Sequence, residues 1–530
     1  MKQIGFAALL AAALVWGVPS NGQTPMMNPE AARAEAAERL AASIERLSFR
    51  PDLAGVMTTL LMLEQGNAID AAKRAEVAAL KDQLDKANRE GRVSEALRSA
   101  YRAIALLQGR DWATDAFPAS LAFDVQPVAD PGQPLLVRVR TNWNETVPAD
   151  TTLALRLAEY DGGKPVRDLG RIAIAARDLV AQPQRRTLDL AGVDPGTYRL
   201  EGEVRAGGRL LGTIRAPISL VPGFFREQSE IEAALARIDG HADAKATIIY
   251  PFNLAAELYS GTREVRSYDF AAGVARSRAL LASLEAGKDP IVRAKGDIRR
   301  AYYFEEAGTI VPFRLYVPTT WEGRVKLPLV VFLHGANLDD DDSMERANGL
   351  LPRLAEERGV ILLAPLGYRM NSMYGAPVPK FAASGSPISE LDPRRVALSE
   401  QDVINLTDLI SKEYDVDRSR IYLSGNSMGA MGTWHLAQKY PKRWTAIAPA
   451  AAGATDDDYD FSRLRGMPIM AVAGEHDFLR PMVEETVAKA KAAGLEPHYM
   501  MVAGGDHGTG VEIALPAIFD FFLKHRRAIP

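Results

Sequence analysis

An α/β fold with a mostly parallel sheet is predicted for residues 293–530, preceded by a β-sandwich and two helical segments. Three observations carry the prediction. From residue 293 onward, short apolar runs alternate with amphipathic helical stretches, the pattern of a sheet covered on both faces. Between residues 116 and 223 the hydrophobic period drops from 3.6 to two, with turn signals at close intervals. The 530-residue length exceeds one ordinary domain, and 47% hydrophobic with 25% charged residues describes a globular chain rather than a disordered one.

Charge and cysteine content narrow the chemistry. Lys+Arg number 63 against Asp+Glu 67, a net charge of −4, so the chain offers no basic field for nucleic acid. The chain contains 0 cysteines, which excludes thiol nucleophiles, thiolate metal sites and disulfides. An enzyme built from it must use hydroxyl, carboxylate or imidazole groups.

Residues 1–22 read as a cleavable signal peptide. Met1-Lys2 is a short basic start, Ile4 to Val18 is apolar, and Ser20, Asn21 and Gly22 supply small or polar residues near the cut. The run is short for a bilayer span, so the expectation is a secreted or periplasmic protein with no membrane span in its mature form. Residues 23–115 read as helical. Asn28 and Pro29 form an N-terminal cap, and further helices are predicted near Leu53–Gln65, Ala68–Asn88 and Val93–Leu107. No repeat period is visible, which favours a packing or spacer bundle over a binding array.

Residues 116–223 read as a β-sandwich of immunoglobulin-like type. Leu135, Val137 and Val139 alternate with polar neighbours, as do Leu153, Leu155 and Leu157, and Gly207-Gly208 supplies a turn. Residues 224–292 return to helix as a linker segment, clearest in SEIEAALARID and YDFAAGVARSRALLASLEAG. In the α/β region the strand candidates are Ala301–Glu306, Val311–Val317, Leu327–Leu333, Val360–Ala364, Ile421–Ser424, Ala446–Ala450, Ile469–Ala473 and His498–Val502.

The strongest chemical signal is RIYLSGNSMGAMGTWHLAQKYP. An apolar strand runs into Gly425-Asn426-Ser427-Met428-Gly429 and then a helix, which is G-x-S-x-G in the context that makes it a nucleophile turn. A serine hydroxyl needs a base to remove its proton. Of the seven histidines, His507 lies in a Gly-rich loop after the last strand and is the predicted base. His435 sits inside a helix, and His334 ends a strand as a structural side chain. Asp477, just past the strand end at Gly474, is the predicted acid that orients the imidazole; Glu475 and Asp506 are its rivals. The oxyanion donors are expected to be the backbone N–H groups of Met428 and Ala336. Asp339–Asp342 reads as a solvated loop leading into a helix rather than a metal site. No metal and no cofactor is expected.

About 33 residues separate the strand ending at Pro365 from a helix expected near Ser399, with Ser399 and Asp402 read as its cap. Connections this long are often functional. Tyr368, Tyr374 and Phe381 within it are the predicted substrate-binding residues, set against the plainer reading that they pack the loop.

VVFLHGAN, YDVDRSRIYLSGNSMG, GEHDFLRP and GGDHGTG together resemble α/β-hydrolase serine esterases of the polyhydroxybutyrate depolymerase, feruloyl esterase and prolyl-oligopeptidase-like group, over roughly the last 230 residues. The resemblance implies a cofactor-free α/β-hydrolase catalytic domain with Ser427, Asp477 and His507 as its triad. It implies action on a small-molecule or polymer-linked ester. A prolyl-oligopeptidase-like serine peptidase is the alternative, although no blade period of a propeller precedes the domain.

Overall fold

The computed structural model describes residues 53–66, 70–160, 162–175, 179–263, 268–379, 392–456 and 458–528. The signal-peptide reading, the Asn28 cap and Phe381 lie outside the described residues. The first helical segment holds α1 (Leu53–Gly66), α2 (Ala71–Arg89) and α3 (Val93–Leu107). Asp70 caps α2, accepting the Lys73 N–H at 2.8 Å, so the helix starts three residues after Ala68. A further helix, α4 (Trp112–Ser120), is capped by Asp111 and falls across the point where the period-two pattern sets in.

Eight strands follow: β1 (Leu121–Asp124), β2 (Val128–Ala129), β3 (Leu135–Thr141), β4 (Thr151–Glu159), β5 (Pro165–Ala173), β6 (Gln184–Leu188), β7 (Gly196–Ala206) and β8 (Arg209–Leu220). They form two sheets, ordered β1-β3-β6 and β2-β8-β7-β4-β5. Phe123, Val137 and Val139 from the first sheet share one core with Leu153, Leu155, Leu200 and Ile214 from the second. The alternation seen in the sequence is thus the inward face of each sheet. Trp143, beyond β3, is buried among Tyr101, Ile104 and the other apolar side chains of α1–α3.

Three helices then lead to the last region: α5 (Phe224–Leu235), α6 (Ala242–Ser260) and α7 (Phe270–Glu285). The sequence signal for α6 is weak because its apolar residues lack a helical stripe and Pro251 interrupts it. Tertiary burial overrides that weakness: Ile248, Phe252 and Leu254 are buried in a cluster that includes Ala301 of the next strand.

The last region contains β9 (Gly296–Phe304), β10 (Thr309–Val317), β11 (Leu329–Leu333), α8 (Asp340–Arg358), β12 (Ile361–Pro365), α9 (Pro393–Glu413), β13 (Ile421–Asn426), α10 (Met428–Lys439), β14 (Ala446–Ala450), β15 (Met470–Gly474), α11 (Arg480–Ala492), β16 (His498–Val502) and α12 (Thr509–Leu523). The eight-stranded sheet is ordered β16-β15-β14-β13-β11-β12-β10-β9. Strands β11 to β16 run parallel, while β10 pairs antiparallel with both β12 and β9. The protein region is therefore of the α/β class. Along β11, Val330 and Phe332 face α8 and α12, while Leu329, Val331 and Leu333 face α9, α10 and α11. Both faces are dry, which is why these strands read as unbroken apolar runs.

The chain order matters for function. After β11 it moves one way to β12, then crosses back over β11 to β13. The loops leaving β11 and β13 consequently diverge and open a crevice at the strands' C-terminal edge, where ligands of such sheets bind.

Candidate active site

Ser427 stands at that crevice, between β13 and α10, with φ 56° and ψ −118°. This is a strained conformation for a residue with a side chain, held because its surroundings over-determine it. The Ser427 N–H donates to Ala450 O at 2.9 Å, tying the turn to β14. Glycines are required on either side. A Cβ on Gly425 would lie 2.6 Å from the Gly429 backbone, and one on Gly429 would overlap the Leu333 carbonyl. The close approach of helix to strand leaves the Ser427 hydroxyl half-exposed at the turn's apex.

Two further sequence-predicted residues meet it. Ser427 Oγ lies 2.9 Å from His507 Nε2, and His507 Nδ1 lies 2.8 Å from Asp477 Oδ1. With the ring proton on Nδ1, His507 donates to Asp477 and offers a free lone pair to the serine hydroxyl. Asp477 is 4% exposed. Its Oδ1 also accepts the Leu479 N–H at 2.8 Å, which orients the carboxylate. The rival carboxylates are engaged elsewhere. Glu475 Oε2 accepts the Gly504 N–H at 2.8 Å. Asp506 Oδ1 accepts from the N–H groups of Gly508 and Thr509 and from the Thr509 hydroxyl. Burial pushes Asp506 up, but these bonds outweigh it and hold the carboxyl below its ordinary value.

Met428 opens α10; the Ala430 and Met431 N–H groups donate to Ser427 O, whereas the Met428 N–H, at the first helical position, has no acceptor within the helix. Ala336 is half-buried in the turn after β11. That turn abuts the serine turn, since a Cβ on Gly335 would fall 2.9 Å from Asn426 Nδ2. Within it the Asn337 N–H donates to Asn371 Oδ1 and the Leu338 N–H to Gly335 O, whereas the Ala336 N–H between them has no acceptor among the described residues.

His334 is fully buried with Nδ1 2.8 Å from Gly335 O and Nε2 2.9 Å from Leu366 O, so it bridges two loops. Burial pushes its imidazole down. His435 lies between Glu400 and Asp456, away from the serine line.

Three expectations are corrected. Tyr374 is not at a pocket surface: it is 0% exposed, its ring packs against His334 and Gly432, and its hydroxyl donates to His334 O at 3.3 Å. An aromatic ring in a polar loop gains most by entering the core beneath it. Asp339–Asp342 is not solvated: all four residues are at most 7% exposed. Asp341 is paired with Arg299 and Arg314, and Asp342 with Arg346. Burial, with the carboxylates of Asp341 and Asp339, pushes Asp340 well above the usual range. Ser399 and Asp402 do not cap a helix, because α9 starts at Pro393 with Asp392 as its cap. They are buried mid-helix instead, where Ser399 Oγ accepts the Tyr374 N–H and Asp402 accepts from Tyr302 and from the Tyr368 N–H.

Tyr368 is half-buried, with the Arg369 guanidinium 4.3 Å from its ring centre. Two residues escaped the sequence reading. Phe478 is 43% exposed, yet its ring centre lies 4.4 Å from that of His507. The signal was adjacency, an aromatic residue directly after the predicted acid. Asn371 is 2% exposed and bonded to the turn after β11, a pairing no local pattern announces.

The fold and the hydrogen-bonded line define an α/β region carrying a serine, a histidine and a buried aspartate in relay. Residues 305–455 match the family model described as "Putative esterase". That span contains Ser427 and ends before Asp477. The chain is 28% identical over 179 residues to a bifunctional acetylxylan esterase/xylanase of Neocallimastix patriciarum, covering 33% of this chain and 22% of that protein. Similar solved structures include a thermostable esterase, 15% identical with TM-score 0.37, covering 76% of this chain and 100% of that one. Another is a ferulic acid esterase from Anaeromyces mucronatus with ferulic acid bound, 16% identical with TM-score 0.34, covering 45% and 93%. Among the described residues no helix is long and apolar enough to cross a membrane.

Proposed function

We propose that this chain is a carboxylic ester hydrolase of the α/β-hydrolase type that works through an acyl-enzyme on Ser427. One observation carries the reading: the unbroken line from Ser427 Oγ through the His507 ring to the buried Asp477 carboxylate, at the C-terminal edge of a parallel sheet. His507 Nε2 takes the hydroxyl proton as Ser427 Oγ attacks the ester carbonyl carbon. Asp477 holds the ring with its proton on Nδ1 and offsets the charge of the imidazolium that forms. The N–H groups of Met428 and Ala336 stabilise the oxyanion. The carbonyl re-forms, the C–O bond breaks, and His507 returns the proton to the departing alcohol. Water then repeats the sequence on the acyl-enzyme and releases the acid.

The esterase family match and the acetylxylan esterase relative support an ester rather than a peptide substrate. We extend this to esters of small acids carried on a small molecule or a polymer, with Phe478 and Tyr368 as the aromatic contacts. In the same reading residues 1–22 are a signal peptide for secretion to the periplasm or medium. Residues 23–115 and 224–292 are helical segments, 116–223 an immunoglobulin-like module, and 293–530 the catalytic domain.

A fluorophosphonate probe should label Ser427 alone, and a substrate panel should show short-chain and feruloyl esters cleaved while proline-linked amides are not. Labelling at another serine, or amides outpacing every ester, would sink the proposal.

A further inference from the structure

We propose that Asn371 is a positioning residue that holds the turn after β11 so that the Ala336 N–H stays aimed at the oxyanion; this rests on the ester-hydrolase reading above. Two reciprocal bonds carry the inference. The Asn337 N–H donates to Asn371 Oδ1 at 2.8 Å, and Asn371 Nδ2 donates to Asn337 Oδ1 at 2.8 Å. Asn337 has φ 60°, a left-handed conformation that an asparagine tolerates and most residues resist. Here the Leu338 N–H to Gly335 O bond, at 3.2 Å, is long, so the side chain of Asn371 supplies the tighter constraint.

The clamp is selective in what it consumes. It occupies the Asn337 N–H, the donor next to Ala336, and so removes the competitor for the oxyanion position. Its two bonds also define a plane, so the turn can neither rotate nor slide without breaking one. A buried carboxamide facing an apolar partner would be costly, whereas here both of its polar ends are matched.

Asn371 can act this way because its own connection is pinned on both sides. The Tyr368 N–H donates to Asp402 Oδ2 at 2.9 Å, and the Tyr374 N–H donates to Ser399 Oγ at 3.0 Å. Between them, Arg369 Nε donates to Thr262 O at 3.0 Å and its guanidinium lies 3.6 Å from Glu257 of α6. Glu257 also accepts from the Thr309 hydroxyl at 2.8 Å and pairs with Arg263. The end of α6 therefore braces the strap that carries the clamp. This gives α6 a part in the site without contact to substrate.

The test compares Asn371→Ala, Asn371→Asp and Asn337→Gly, using p-nitrophenyl acetate as substrate and an aryl trifluoromethyl ketone as inhibitor. The ketone forms a tetrahedral adduct whose oxygen reads the oxyanion donors directly. Asn371→Ala should lower kcat roughly 10²-fold, as losing one oxyanion donor does, with KM within about twofold and ketone affinity reduced in parallel. Asn371→Asp retains the acceptor for the Asn337 N–H and should recover part of the loss, and Asn337→Gly retains backbone and N–H and should stay nearer the parent. A folded Asn371→Ala enzyme with parental kcat and ketone affinity overturns the clamp, as does a loss confined to KM. If Asn371→Ala does not fold, Asn371→Asp decides: it loses the Nδ2 bond to Asn337 Oδ1, so a folded Asn371→Asp enzyme with fully parental kcat and ketone affinity overturns the proposal. Ser427→Ala serves as the control. Activity surviving in it condemns the ester-hydrolase reading itself, whereas its loss together with an indifferent Asn371 condemns the clamp alone.

Discussion

The turn after β13 and the connection after β12 leave the same edge of the same sheet, yet they are built on different principles. The serine turn is short and local. Gly425 and Gly429 let α10 close on β13 and β11, and the Ser427 N–H is satisfied by the adjacent strand. The connection after β12 is long, and its described part is held by partners far away in sequence, among them Asp402, Ser399, Glu257 and Asn337. The comparison teaches that a reactive group is placed by tight local geometry, while the groups that support it can be recruited from anywhere the fold brings close. Substitutions in the first region should therefore change chemistry at constant stability, and those in the second should change stability or positioning before chemistry.

The largest expected effect lies in the serine turn. Ser427→Ala should lower kcat roughly 10⁶-fold in an ester assay, with a melting temperature close to the parent's. Asp477→Asn should cost about 10⁴-fold by leaving the His507 ring in the wrong tautomer, while Glu475→Gln should retain activity. A mild Asp477→Asn would break the assignment of the acid.

Tyr374 sharpens the other side of the comparison. Tyr374→Ala should destabilise the protein by about 3–5 kcal/mol in denaturant titration, as other buried aromatics do. Tyr374→Phe should cost only about 1 kcal/mol by losing one hydrogen bond. Neither should move KM for bulky esters at temperatures where the variant is folded. A large KM increase in folded Tyr374→Phe would return Tyr374 to the substrate pocket.

Glu400, beneath the connection, adds a pH test. Burial alone would raise its carboxyl, but hydrogen bonds from His435, Lys439 and Tyr440 outweigh burial and hold it at about 2. The folded value lies below the unfolded one of about 4.3, so its contribution is present above that pH and is lost as pH falls through 2. Glu400→Gln should cost about 2–3 kcal/mol at pH 7, and the gap to the parent should close on acidification. A gap independent of pH would show that packing, not charge, ties α9 to α10.

The smallest effect is expected at Phe478, which touches the His507 ring but is exposed. Phe478→Ala should raise KM for aromatic esters about 3- to 10-fold with little change for acetate esters and none in stability. Equal KM changes for both ester types would remove it from substrate contact.

What the sequence determined on its own was whatever depends on neighbours in the chain. Alternation of two revealed the inward faces of β3 and β4, and unbroken apolar runs revealed the parallel strands. G-x-S-x-G between strand and helix singled out Ser427, because the backbone of five consecutive residues makes that turn. Their places in loops just past strand ends, following Ser427 in the order acid then base, singled out Asp477 and His507 as its partners. Tertiary structure decided the rest. The residues of Asp339–Asp342 look solvated until arginines from β9 and β10 are folded against them. Tyr374 looks like a pocket wall until α10 presents Gly432 as the floor it packs on. The helix α6 lacks a periodic stripe because it is buried on more than one side, so periodicity could not announce it. Asn371 meets Asn337 because β11 and β12 pair side by side in parallel, which sets the loops leaving the two strands next to each other at one edge of the sheet. Burial and long-range pairing are properties of the closed chain, and no local pattern of residues encodes which distant partner will arrive.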